Sequence, residues 1–134
     1  NTTWARVAGG EPIGKLLAQV DANFRPENPA ASLPDLLTAM QMIKALPGGY
    51  WRDKKLDEIK TVIRGCLGLY LEATTSDPTA TPGDQVKLRL ECIARANGAN
   101  VVLTNLGISD TTALQIDTTF GIMDTLPKTL VQRL

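Results

Sequence analysis

Residues 65–91 read GCLGLYLEATTSDPTATPGDQVKLRLE. The stretch opens inside a helical pattern and closes inside a strand pattern. On its upstream side Leu56, Ile59, Val62, Ile63, Cys66, Leu67 and Tyr70 recur at helical spacing and form one apolar stripe. On its downstream side QVKLRLEC alternates strictly. Val86, Leu88, Leu90 and Cys92 fall on one face, and Lys87, Arg89 and Glu91 on the other. Between them LGLYLEATTS gains β-branched residues and SDPTATPGD carries turn chemistry. Pro82-Gly83 suits the centre of a type II turn, where glycine takes the positive φ. A helix therefore runs into the first strand of a β module, with the division between residues 70 and 71. No flexible Gly/Ser linker intervenes, which predicts a fixed orientation between the two parts.

Upstream of this junction two more helices are expected. EPIGKLLAQVDANF sets Ile13, Leu16, Leu17, Val20 and Phe24 on one side, with Pro12 in the first turn. RPENPAAS then breaks the pattern with two prolines. In SLPDLLTAMQMIKAL, Ser32 can cap, Asp35 follows three residues later as in a capping box, and Pro34 fits the first turn. Leu36, Leu37, Met40 and Ile43, with Leu46 or Met42, make its apolar side, and the methionines read as core filler. PGG at 47–49 ends it, and a third helix starts near Tyr50 or Trp51. Its charges at Lys54, Lys55, Asp57, Glu58 and Lys60 intersperse both signs, as a solvated face does. Three such helices pack as a small antiparallel array once their stripes face each other or a further partner.

Downstream, RANGAN at 95–100 is a turn, VVLTNLGI is a second β-rich run, and ALQIDTTF and TLVQRL are further candidate strands. MDTLPK is loop-like because of Pro127. Strand after strand without intervening helices points to antiparallel packing. The expected fold class is α+β. A small three-helix array at residues 1–70 is followed by an antiparallel, immunoglobulin-like β-sandwich at residues 71–134, complete or truncated at Leu134.

Composition narrows the chemistry. The 134 residues are 43% hydrophobic and 21% charged, as in a folded chain. Lys and Arg together number 14, as do Asp and Glu, so net charge offers no reason to expect nucleic acid or a membrane as partner. Residues 1–70 hold nine basic and seven acidic side chains, and residues 71–134 hold five and seven. No apolar run approaches the ~18 residues of a spanning helix. The first residue is Asn1 rather than Met, which suggests a piece of a longer polypeptide and leaves localisation illegible. Histidine is absent, which removes a Ser-His-Asp triad, a histidine general base and a His-based zinc site from this chain. Cys66 and Cys92, the only cysteines, fit two buried free thiols better than a disulfide.

Particular words around the junction carry a resemblance. They are Thr3-Trp4, Gly14-Lys15-Leu16-Leu17, Asn28-Pro29-Ala30-Ala31-Ser32, Cys66-Leu67-Gly68-Leu69 with Leu71-Glu72-Ala73, and Thr81-Pro82-Gly83. In this order, over about residues 2–90, the chain resembles the non-catalytic C-terminal region of large bacterial PIG-L (LmbE-like) deacetylases. The resemblance implies that chemistry belongs to a separate α/β domain. There zinc, a His-Pro-Asp-Asp motif and a later histidine hydrolyse the acetamide of an N-acetylated sugar. Neither motif occurs here, so no catalytic, cofactor-binding or metal residue carries over. The implied partner is the catalytic domain of the same polypeptide, which a helical segment of this kind can brace or position.

Two other classes stand beside that expectation. A carbohydrate-binding β-sandwich module needs an aromatic platform, and Trp4, Tyr50 and Trp51 are the candidates. Trp51, directly after PGGY, is expected to staple the start of the third helix. An independent enzyme would need paired carboxylates; Asp53 and Asp57 share a helix face, Asp57 and Glu58 do not. Their lysine neighbours predict solvated ion pairs. Asp117 and Asp124 lack the ligand alternation and glycine of an EF-hand and fit Asx turns. Apolar helix faces left open would favour a homodimer.

Overall fold

The computed structural model describes residues 3–75, 78–81, 83, 85–96, 101–109, 112–120 and 128–133. The fold is α+β, with three α-helices followed by antiparallel strands among the described residues. It divides into two compact units, Asn1–Leu67 and Gly68–Leu134.

In the first unit a 3-10 turn at Trp4–Arg6 precedes α1 (Glu11–Ala22). Two glycines seat that turn. A Cβ on Gly10 would lie 2.3 Å from the Trp4 carbonyl oxygen, and one on Gly14 would lie 3.0 Å from the Trp4 Cβ. The absence of side chains there lets the tryptophan lie against the first turns of α1. Pro12 occupies the first turn, where it sacrifices no hydrogen bond. The helix ends at Ala22, so Phe24 stands outside it and is 46% exposed. The spacing alone continues the stripe to Phe24; the Asn23 N–H instead makes the last helical bond, to the Gln19 carbonyl, and the Phe24 N–H closes a tighter turn onto the Asp21 carbonyl.

A second 3-10 turn, Pro29–Ser32, leads directly into α2 (Leu33–Lys44). Its continuity overturns the capping expectation. Ser32 has φ −82° and ψ −9° and makes no side-chain cap hydrogen bond, whereas a capping serine needs extended backbone. Pro34 fits the first turn, and its carbonyl accepts a 2.9 Å hydrogen bond from Thr38 Oγ1. The buried side of α2 is Leu33, Leu36, Ala39 and Ile43, and Leu46 is buried just beyond it. Leu37 is exposed, one position off that face, and Ala39 replaces it in the core. Helix α3 (Tyr50–Leu67) buries Ile59 and half-buries Leu56, Ile63 and Cys66. Helix α2 packs against both α1 and α3, and Ile13, Leu36, Ala39, Ile43, Leu46 and Ile59 join in one core.

The changeover comes at Gly68, with φ +56°. Only glycine adopts this left-handed conformation without strain, which makes it a common helix terminator. Tyr70, expected on the helix stripe, is the first residue of strand β1 (Tyr70–Thr75).

In the second unit β1 pairs antiparallel with β2 (Gln85–Ile93), from Tyr70↔Ile93 to Thr75↔Leu88. Strand β5 (Lys128–Arg133) pairs with the other edge of β2, giving the order β1-β2-β5. Strands β3 (Val101–Ser109) and β4 (Thr112–Phe120) form a separate ladder, with register shifts between Leu103 and Asn105 and between Gly107 and Ser109. Cys92 and Ala94 are buried, packed with Leu69 and Val101. Every β1 residue is exposed. Gly83 has φ +102°, as the turn reading requires, while Pro82 lies outside the described residues, as do Asp124, Pro127 and 97–100 of RANGAN. The facing expected of Val86, Lys87, Leu88 and Leu90, and the Asx-turn reading of Asp117, concern side chains outside the described set.

Candidate functional site

The helical unit carries an open groove of about 460 Å³. Leu36 and Ile43 of α2 form its floor, Leu17 and Val20 of α1 one wall, and Ile59, Val62 and Cys66 of α3 the other. Trp4 and Phe24 also line it. The three stripes expected from the sequence do meet, but around α2 rather than around a closed axis. The result leaves Val62 50% exposed and Phe24 46% exposed. Burying either would gain about 1–2 kcal/mol at ~25 cal/mol per Å² of apolar surface. Its polar rim is Asp21, Lys55 and Glu58. The Lys55 ammonium donates to Glu58 at 2.6 Å.

A second surface lies at the start of α3. Tyr50 and Trp51 are 69% and 62% exposed, so Trp51 does not staple the helix to the core. Their rings meet edge to face at 5.3 Å, and the Lys54 ammonium sits 5.9 Å over the Tyr50 ring. Trp4, the other candidate platform, is half-buried against the helical core.

The carboxylates on α3 are engaged one by one with cations. Arg52 grips Asp53 through Nε and Nη2 at 2.9 and 2.7 Å, and Lys60 donates to Asp57 at 3.1 Å. Asp53 and Asp57 share a face but each is exposed and separately paired, as solvated ion pairs are. Among the described residues no group of three or more His, Cys, Asp or Glu side chains comes together. Without histidine the chain does not fit the zinc site that the resemblance implies for a catalytic domain, and no zinc chemistry is assigned to it.

Both thiols are free; Cys92 is buried, whereas Cys66 is only half-buried, on the groove wall. Burial pushes the Cys92 thiol above its ordinary range. On the sheet, Glu72 stands directly opposite Glu91. The Tyr70 phenol is raised, first by its hydrogen bond to Glu72, then by desolvation and by the charges of Glu72 and Glu91, with Arg95 opposing.

No protein-family model, curated protein or solved structure matches the chain. No helix among the described residues is long and apolar enough to cross a membrane.

Proposed function

We propose that this chain is a non-catalytic accessory region of a zinc-dependent PIG-L-type N-acetyl-sugar deacetylase, and that it braces or positions the catalytic domain. The observation that carries the reading is the open groove of the helical unit. A folded three-helix array that leaves Phe24 and Val62 half in water keeps apolar surface in reserve for a partner. The resemblance of residues 2–90 supplies the identity of that partner. The α3 carboxylates Asp53, Asp57 and Glu58 are held by Arg52, Lys60 and Lys55 respectively, as solvated ion pairs are.

The second unit is proposed to be an immunoglobulin-like sandwich. Its support is topological. The chain leaves the β1-β2-β5 sheet after β2, forms the β3-β4 ladder, and returns in β5, an exchange of strands between sheets that sandwich folds also use.

Expressing the parent enzyme with and without residues 1–134 tests the reading. Removal lowers the melting temperature of the catalytic domain, its deacetylation rate, or both. Equal stability together with equal deacetylation refutes it.

A second reading, glycan binding, draws on one observation: Trp51 is exposed beside Tyr50 instead of packed beneath it. It predicts glycan titration heat that disappears in Trp51→Ala. No heat with any glycan leaves the accessory reading alone.

A further inference from the structure

Helices α1 and α3 both pack on α2, and residues of all three line the open groove. A trough with a helical floor and two helical walls admits a convex, rod-like guest. The apolar face of an amphipathic helix is such a guest, and a second concave groove is not.

Charge sharpens the description of that guest. Helices α2 and α3 end in the order the helix dipole favours, with Lys44 and Arg64 in their last turns. Helix α1 breaks the order. Its last turn has no basic residue and holds Asp21, a carboxylate near the negative end of the dipole. Asp21 is exposed and has no ion-pair or hydrogen-bond partner for its side chain among the described residues. It lines the groove. Because Lys55 and Glu58 neutralise each other, Asp21 is the uncompensated charge on the rim. Phe24, Val62 and Asp21 are thus unexplained by the helical unit alone, and all three face one trough.

The geometry points to a docking site in which this groove receives an amphipathic helix carrying Lys or Arg beside its apolar stripe, with that cation against Asp21. The helix comes from the domain that this region braces, so its source rests on the accessory reading, whereas its shape and charge rest on the groove.

The test uses the full chain carrying Trp51→Phe, which leaves Trp4 in the groove as the fluorescent reporter. Two amphipathic host peptides of about four turns are titrated; one has lysines flanking the apolar stripe and the other has glutamates. The lysine peptide shifts Trp4 emission and binds about tenfold more tightly than the glutamate peptide at low salt. Asp21→Lys reverses the preference, Asp21→Asn abolishes it, and Val62→Glu weakens both peptides. Circular dichroism checks that each variant is folded; Asp21 and Val62 are surface positions. Absence of a Trp4 response to either peptide overturns the proposal, as does equal affinity or indifference to Asp21→Lys. A chain that dimerises by light scattering and reverts to monomer with Val62→Glu assigns the groove to a second copy and also overturns it. Loss of peptide discrimination refutes the docking site whether or not removing the region destabilises the parent, so the docking site and the accessory reading fail separately.

Discussion

Cys66 and Cys92 are equivalent in the unfolded chain and distinct in the folded one. The buried Cys92 thiol has its ionisation suppressed by desolvation, and Cys66 sits half-open on the groove wall. In the native protein an alkylating reagent should modify Cys66 first, faster by about an order of magnitude, because the thiolate is the reactive form. Mass spectrometry of a timed quench reads the order directly; equal rates contradict the burial assigned to Cys92. Tyr70 offers a second residue-level check. Its ionisation is raised chiefly by Glu72, so Glu72→Gln moves the phenol back toward 10.0. An ultraviolet titration in a Tyr50→Phe background isolates it. The sign follows from linkage. A phenol raised in the folded state contributes stability below the unfolded pKa, and that contribution fades as pH climbs through the folded value.

At the scale of elements, the end of α3 makes the sharpest contrast. A Cβ on Gly65 would meet nothing within 4 Å, whereas one on Gly68 would lie 2.9 Å from the Arg95 Cβ at φ +56°. Gly65→Ala should stabilise by up to about 1 kcal/mol through helix propensity. Gly68→Ala should cost about 1–2 kcal/mol from the left-handed backbone alone, and more from the clash. Thermal melts of the two variants moving in opposite directions support this junction; melts moving together contradict it. Periodicity exposed much of this in advance. All three helices and β2 follow from 3.6- and 2-residue patterns strong enough to resist context. The misses share a cause. Phe24, Leu37, Tyr70 and the Ser32 cap each depended on where a helix begins, ends or turns its face. A 3-10 entry, a C-terminal turn and a glycine decided those points, and hydrophobic spacing does not encode them.

For the whole molecule, the apolar residues of the candidate site were legible, and their exposure was not. Leu17, Val20, Ile59 and Val62 all lie on stripes visible in the sequence. Whether three stripes close over one another depends on the placement of α1 and α3 around α2, which no local pattern specifies. Trp51 illustrates the same limit, since a tryptophan after a turn can cover a helix or stand in water, and here it is exposed. The accessory account makes one demand on the molecule as a unit: apolar surface held open on the helical array must gain a cover from elsewhere. The most direct measurement adds the purified chain in trans to a separately expressed catalytic domain and follows the thermal unfolding of that domain. The account predicts a melting temperature that rises with chain concentration, by several degrees once the site is well saturated, and a smaller rise with Val62→Glu. A melting temperature that stays constant at every chain concentration contradicts it.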